Sequence, residues 1–218
     1  MKGRRLVVFG LISLGLTAAP RSWAGGPDTV SAAKLVRPGD PVFGNPHGKV
    51  TIVDFYDIRC PPCRQMEPRF KRLLHHDHYV LYVPVAYPIL GPASVLGTEA
   101  MFAAAAQGKL IPFRARLMTQ KRPPSDAILK ADAKALGLDW SRMEFAMNGD
   151  AVVRHIQTNL HRGRKLGIHE IPTIFINNTK IVGSVSYADL RSIVAKAQKT
   201  ADGSSRGPSS SLSSMHGT

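Results

Sequence analysis

Between residues 49 and 57 the chain reads KVTIVDFYD, with apolar β-branched and aromatic residues at both odd and even positions. That pattern predicts a strand buried on both faces, interrupted only by Asp54. From Pro61 the period changes: Met66, Phe70, Leu73 and Leu74 fall at i, i+4, i+7 and i+8, one apolar face of a helix ending near His75. Residues 79–87, YVLYVPVAY, predict a second strand, and strand, helix, strand over this length implies a right-handed parallel unit. Next come an Ala-rich helical stretch, 94–107, and helical windows at 113–119, 125–136 and 140–147. A long helix over 150–166 leads to PTIFIN at 172–177 and a short apolar run at 180–182, two antiparallel strands with Asn178 at their turn. A last amphipathic helix, 187–198, carries Leu190, Ile193, Val194 and Ala197 on one side. The expected architecture is an α/β domain formed by 49–91 and 150–199, with an inserted helical subdomain at 92–149.

The two ends differ from this middle. Lys2, Arg4 and Arg5 precede an apolar run, Leu6 to Ala19, and then Ser22-Trp23-Ala24, a small-x-small cleavage pattern. This predicts a signal peptide over 1–24; the run is 14 residues long, short of the roughly 20 that span a bilayer. Residues 25–48 hold Pro38, Pro41 and Pro46 among several glycines and predict an extended lead-in. The tail, 200–218, is mostly Gly, Ser and Pro from Asp202 onward, a composition expected to be disordered. An exported protein in the periplasm is the expected setting.

The formal charge is +14, and removing Lys2, Arg4, Arg5 and Arg21 with the leader leaves +10. The basic residues are scattered over several segments and are not gathered on one element among aromatics, so no nucleic-acid partner is expected.

Two cysteines, Cys60 and Cys63, stand where the first strand gives way to the first helix. A loop this short adds little stability as a cross-link, so redox or metal chemistry explains the pair better. Unpaired backbone N–H groups at a helix start favour a thiolate, and Pro61 and Pro62 are tolerated in a first turn. Cys60 is therefore the expected nucleophile and more accessible thiol, with Cys63 closing the disulfide. Arg59 and Arg64 flank the pair and favour the thiolate, or are ordinary surface arginines. A closed zinc site needs four ligands, and the His75, His76, Asp77, His78 run lies about 18 Å away along the helix, so neither a metal nor a cofactor is expected.

Val53-Asp54-Phe55-Tyr56, Cys60-Pro61-Pro62-Cys63, Pro68 and Ile171-Pro172-Thr173, in that order, resemble the DsbA-like branch of the thioredoxin superfamily, over roughly residues 41–199. Asp40-Pro41-Val42-Phe43-Gly44-Asn45-Pro46 and Gln107-Gly108-Lys109 resemble its bacterial exported members. The resemblance implies a thioredoxin fold with a helical insertion and a redox-active Cys60/Cys63 pair. It implies a cis-proline at Pro172 lying against that pair, and substrate contact through Pro61, Pro62, Ile171 and Pro172. Asp54 matches a buried acid that exchanges a proton as the second Cys reacts, and Pro68 a structural helix proline. The partners implied are exported protein thiols and disulfides, with a membrane redox protein that recycles the pair.

DsbA-type oxidants often carry His directly before the second Cys, where this chain has Pro62, and Ile171 is closer to thioredoxins. An oxidant weaker than the strongest DsbA proteins is the expectation. The alternatives are a reductase or isomerase, a non-catalytic protein holding Cu(I) through two thiolates, and a chaperone-like module with an incidental redox pair. The lead-in lacks a long dimerisation helix, so a monomer is expected.

Overall fold

The structure, a computed structural model, describes residues 30–204. The expected signal peptide, and the tail beyond Ser204, lie outside the described residues. The doubly apolar run forms β2, Val50–Tyr56, every residue of it buried. β2 pairs in parallel with β3, Val80–Ala86, and antiparallel with β4, Thr173–Ile176, which turns through Asn177 and Asn178 into β5, Thr179–Val182. Asn177 takes the left-handed conformation, φ 45°, that this turn requires, and its side chain accepts from Thr51 N at 2.8 Å.

The sequence pattern gives no sign of β1, Phe43–Gly44, which pairs antiparallel with β3 and completes the order β1-β3-β2-β4-β5. The lead-in also holds a 3-10 turn, Ala32–Leu35. It is fixed by Arg162, whose guanidinium meets Asp40 at 2.8 and 3.0 Å and the Leu35 carbonyl at 2.6 Å.

Helix α1, Pro61–His76, places Met66, Phe70 and Leu73 on the sheet face of Val50, Ile52, Tyr82 and Ile174, which α7, Tyr187–Ser204, covers with Leu190 and Val194. The opposite face carries Val53, Phe55, Val83, Val85 and Phe175 beneath the 3-10 turn, with Leu160 and Leu166 of α6, Asp150–Lys165, packed against it. Strand alternation thus sends Asp54 to the α1 side with Ile52. Four more helices precede α6: α2 Pro92–Ala105, α3 Leu110–Thr119, α4 Asp126–Ala135 and α5 Trp140–Met147. They build an apolar cluster continuous with Tyr56, Ile58, Cys60 and Cys63. α7 runs six residues past Gln198, where the helical periodicity ends; Thr200 bonds back to Lys196 O at 3.1 Å and Asp202 meets Lys49 at 2.6 Å. No helix of the described residues is long and apolar enough to cross a membrane.

Candidate active site

Cys60 is the N-cap of α1, with φ −70° and ψ 117°, and is disulfide-bonded to Cys63 across a Cα–Cα distance of 5.2 Å. Its Sγ accepts from Cys63 N at 3.2 Å. Pro61 and Pro62 occupy the first two helical positions and have no N–H, so Cys63 supplies the first backbone donor of the helix, and the helix dipole adds positive potential at the sulfur.

Accessibility does not separate the two cysteines: they are 3% and 2% exposed. The expected openness of Cys60 is absent because the chain before Pro172 lies over it, with the Ile171 carbonyl 3.5 Å from its Sγ. The Ile171–Pro172 peptide is cis. Pro172 is buried, Ile171 is half-buried, and Thr173 Oγ1 donates to Glu170 O at 2.6 Å, holding the loop's entry to β4. Between the two cysteines, Pro61 is exposed and Pro62 half-buried.

Asp54 sits within β2, six residues before Cys60, 2% exposed, and its Oδ2 accepts from the Tyr82 hydroxyl at 3.1 Å, while Oδ1 has no partner. Burial pushes its carboxyl from the ordinary 3.8 up to about 7, against the lowering effects of Arg114 and the Tyr82 hydrogen bond; Glu67 adds a smaller push upward. The acid is thereby poised to hold or release a proton near neutral pH.

Of the flanking arginines, Arg64 is committed to structure: Nε donates to Ile58 O at 2.6 Å, and its other nitrogens to Gln120 O at 2.6 Å and Leu117 O at 3.3 Å, closing the end of α3. Arg59, next to Cys60 in sequence, directs its guanidinium to Leu90 O at 3.2 Å. Pro68 lies exposed within α1, and the described residues hold no group of three or more His, Cys, Asp or Glu side chains spaced for a metal ion.

Sequence reasoning missed Asp57. Its buried carboxylate accepts from Arg59 N at 2.8 Å, Ser94 Oγ at 2.8 Å and Leu90 N at 3.0 Å, tying the loop that carries Cys60 to the exit of β3 and the start of α2. The bond to the N–H two residues on is an Asx turn, a local signal legible in Asp57-Ile58-Arg59; the other two donors come from distant sequence. Asp57→Ala strands three donors and is expected to cost about 3 kcal/mol, lowering Tm by roughly 6–12 °C in a domain of this size. Thermal unfolding of oxidised wild type and variant checks this, and an unchanged Tm contradicts it.

Fold and site together place the molecule in a class, the thioredoxin-like thiol:disulfide oxidoreductases. The particular family follows from comparison with known proteins: the family model described as thioredoxin matches residues 37–196, and the chain belongs to that family. A thioredoxin-like oxidoreductase from Silicibacter pomeroyi is 32% identical, with a TM-score of 0.71 over 75% of this chain and 94% of its own. The thiol-disulfide exchange protein alpha-DsbA2 of Wolbachia pipientis is 25% identical, with a TM-score of 0.68 over 73% of this chain and 87% of its own. A periplasmic thioredoxin-like protein of Salmonella enterica serovar Typhimurium is 25% identical, with a TM-score of 0.64 over 77% and 95%. Among curated relatives, a Na(+)/H(+) antiporter NhaA 1 of Mycobacterium is 25% identical over 177 residues, 77% of this chain but 29% of the antiporter. The chain thus spans less than a third of the length of the curated relatives it matches.

Proposed function

We propose that the protein is an exported, periplasmic thiol:disulfide oxidoreductase that oxidises substrate protein thiols through Cys60 and Cys63. The observation that carries this reading is the disulfide at the α1 N-terminus, covered by the Ile171–Pro172 loop and backed by an acid that titrates near neutrality. A substrate thiolate attacks Cys60 Sγ and the Cys60–Cys63 bond breaks, leaving a mixed disulfide and a Cys63 thiolate. Asp54 gives its proton to that sulfur. A second substrate thiolate then attacks the substrate sulfur of the mixed disulfide, forming the substrate disulfide and releasing Cys60 as thiolate. The substrate gives up two electrons and the Cys60/Cys63 pair gains them.

Pro61, Pro62, Ile171 and Pro172 receive the substrate segment, whose backbone adds as a strand at the loop before the proline. The leader pattern and the periplasmic relative support export, a membrane redox partner restores the disulfide, and the protein works as a monomer.

Only the reduced form carries a thiolate, so whatever stabilises the Cys60 thiolate makes the pair a stronger oxidant. The helix terminus, the Cys63 N–H and Arg59 do so, while Pro61 and Pro62 take away two backbone donors that other residues there would bring. The expected reduction potential therefore lies between about −120 and −270 mV, the values of DsbA and thioredoxin. Equilibration with glutathione buffers, read by alkylation of the free thiols, measures it. A potential at or below the thioredoxin value would assign the protein to reduction or isomerisation, and a pair that does not equilibrate at all would end the reading.

A further inference from the structure

We propose that Arg114, on helix α3, is a positioning residue for the proton transfer at the disulfide: it fixes the hydroxyl of Tyr82 as a donor to Asp54 and leaves Asp54 Oδ1 as the oxygen that carries the proton. The inference rests on the function proposed above, and it follows from counting hydrogens.

Arg114 is buried, and a guanidinium only donates. Its Nε donates to Tyr56 OH at 3.0 Å, Nη1 to Glu67 Oε1 at 2.6 Å and Nη2 to Tyr82 OH at 3.4 Å. Each tyrosine has one hydroxyl proton, which cannot point back at Arg114. The Tyr82 proton therefore goes to Asp54 Oδ2, 3.1 Å away, and that of Tyr56 to Met101 Sδ at 3.5 Å. With Oδ2 already accepting, Oδ1, buried and without a partner, is where Asp54 gains and loses its proton.

The titratable and charged groups around Asp54 come from four elements, and two of them, Arg114 and Glu67, carry charge. Tyr82 on β3 is held neutral, its hydroxyl pushed well above the ordinary range by burial and then by Asp54 itself. Arg114 on α3 favours the Asp54 carboxylate, and Glu67 on α1 disfavours it. Tyr56, on β2 beside Asp54, is likewise pushed upward by burial and remains neutral. Glu67 is the part of this network that reaches solvent, its side chain 26% exposed against 4% for Arg114. The helical region between β3 and β4 thus supplies the one cation of this network, Arg114.

The two charged neighbours act in opposite directions, which gives a test that a merely structural role would not pass. The Asp54 carboxyl is titrated by carbon-13 NMR or by its infrared carbonyl band in the oxidised full chain, where neither cysteine titrates. The pH profile of dithiol oxidation is measured beside it. Arg114→Met is expected to move both midpoints upward by about one pH unit or more, because the favourable cation and the forced Tyr82 donor are both lost. Glu67→Gln is expected to move them downward, and Arg114→Lys, which keeps the cation, to fall between wild type and Arg114→Met. Should Arg114→Met fail to fold, Arg114→Lys, which keeps a buried cation but not the planar donor fork, carries the test beside Glu67→Gln, with midpoints expected to move up and down respectively. Unmoved midpoints, or shifts of the same sign in Arg114→Met and Glu67→Gln, overturn the proposal. If wild-type protein oxidises no dithiol, the functional reading fails, and the spectroscopic titration of Asp54 still decides the role of Arg114.

Discussion

Cys63→Ala is expected to lower steady-state dithiol–disulfide exchange by about a thousandfold or more, while Cys60 alone still captures disulfide-bearing substrates as stable mixed disulfides. The Cys60 sulfur keeps the helix N-terminus and the backbone donor of residue 63, which the substitution does not remove. It therefore still attacks a disulfide, expelling one thiolate and retaining the other half covalently. In the wild type, Cys63, three residues on, attacks Cys60 Sγ and drives that half off. Its advantage is proximity: a sulfur held in place acts at an effective concentration of about 10⁵ M or more, which no thiol in solution matches. Non-reducing gels of the variant with a disulfide-bonded substrate will show the adduct, and its dependence on Cys60 will show in Cys60→Ser/Cys63→Ala. An adduct that survives in the double variant, or unchanged turnover in Cys63→Ala, contradicts the assignment.

Asp54→Asn is expected to make the protein more stable and less active, with a stability gain that grows with pH. Folding raises the Asp54 carboxyl from the ordinary 3.8 to about 7. Between those values the folded chain binds a proton that the unfolded chain has released, so stability falls as pH rises through this window, and above about 7 the penalty is complete. At about 1.4 kcal/mol per unit the full penalty is on the order of 4 kcal/mol. Asn keeps an oxygen for the Tyr82 hydroxyl, so the variant loses the burial cost without stranding that donor. Denaturant unfolding at pH 4 is expected to find the two proteins alike, and at pH 8 to find Asp54→Asn more stable by several kcal/mol. Loss of the proton donor for Cys63 is expected to slow exchange by about a hundredfold. A variant less stable than wild type at pH 8 would make Asp54 a structural hydrogen-bonding residue.

The central strand, the first helix and the disulfide were legible because each rests on local order. Apolar residues on both parities from Val50 to Tyr56 bury a strand whatever packs against it, and the i, i+4, i+7, i+8 spacing after Cys63 permits one helical face. Asp54 was legible as an anomaly for the same reason, a lone carboxylate in a run that leaves no room for water. The short pairing of Phe43–Gly44 was hidden, because two residues make no period and only the edge of β3 gives them a partner. The last turns of α7 bring Asp202 to Lys49, a contact 153 residues apart in sequence.

The polar partners of the site were hidden more deeply. Tyr82 and Arg114 each read as ordinary members of a strand and a helix, and nothing near either names a partner 28 or 58 residues away. Sequence determines where charge and apolar surface must go, since burial is decided residue by residue. Which buried donor meets which acceptor is decided only when separate elements dock, and here that docking selects the oxygen of Asp54 that remains free to carry a proton.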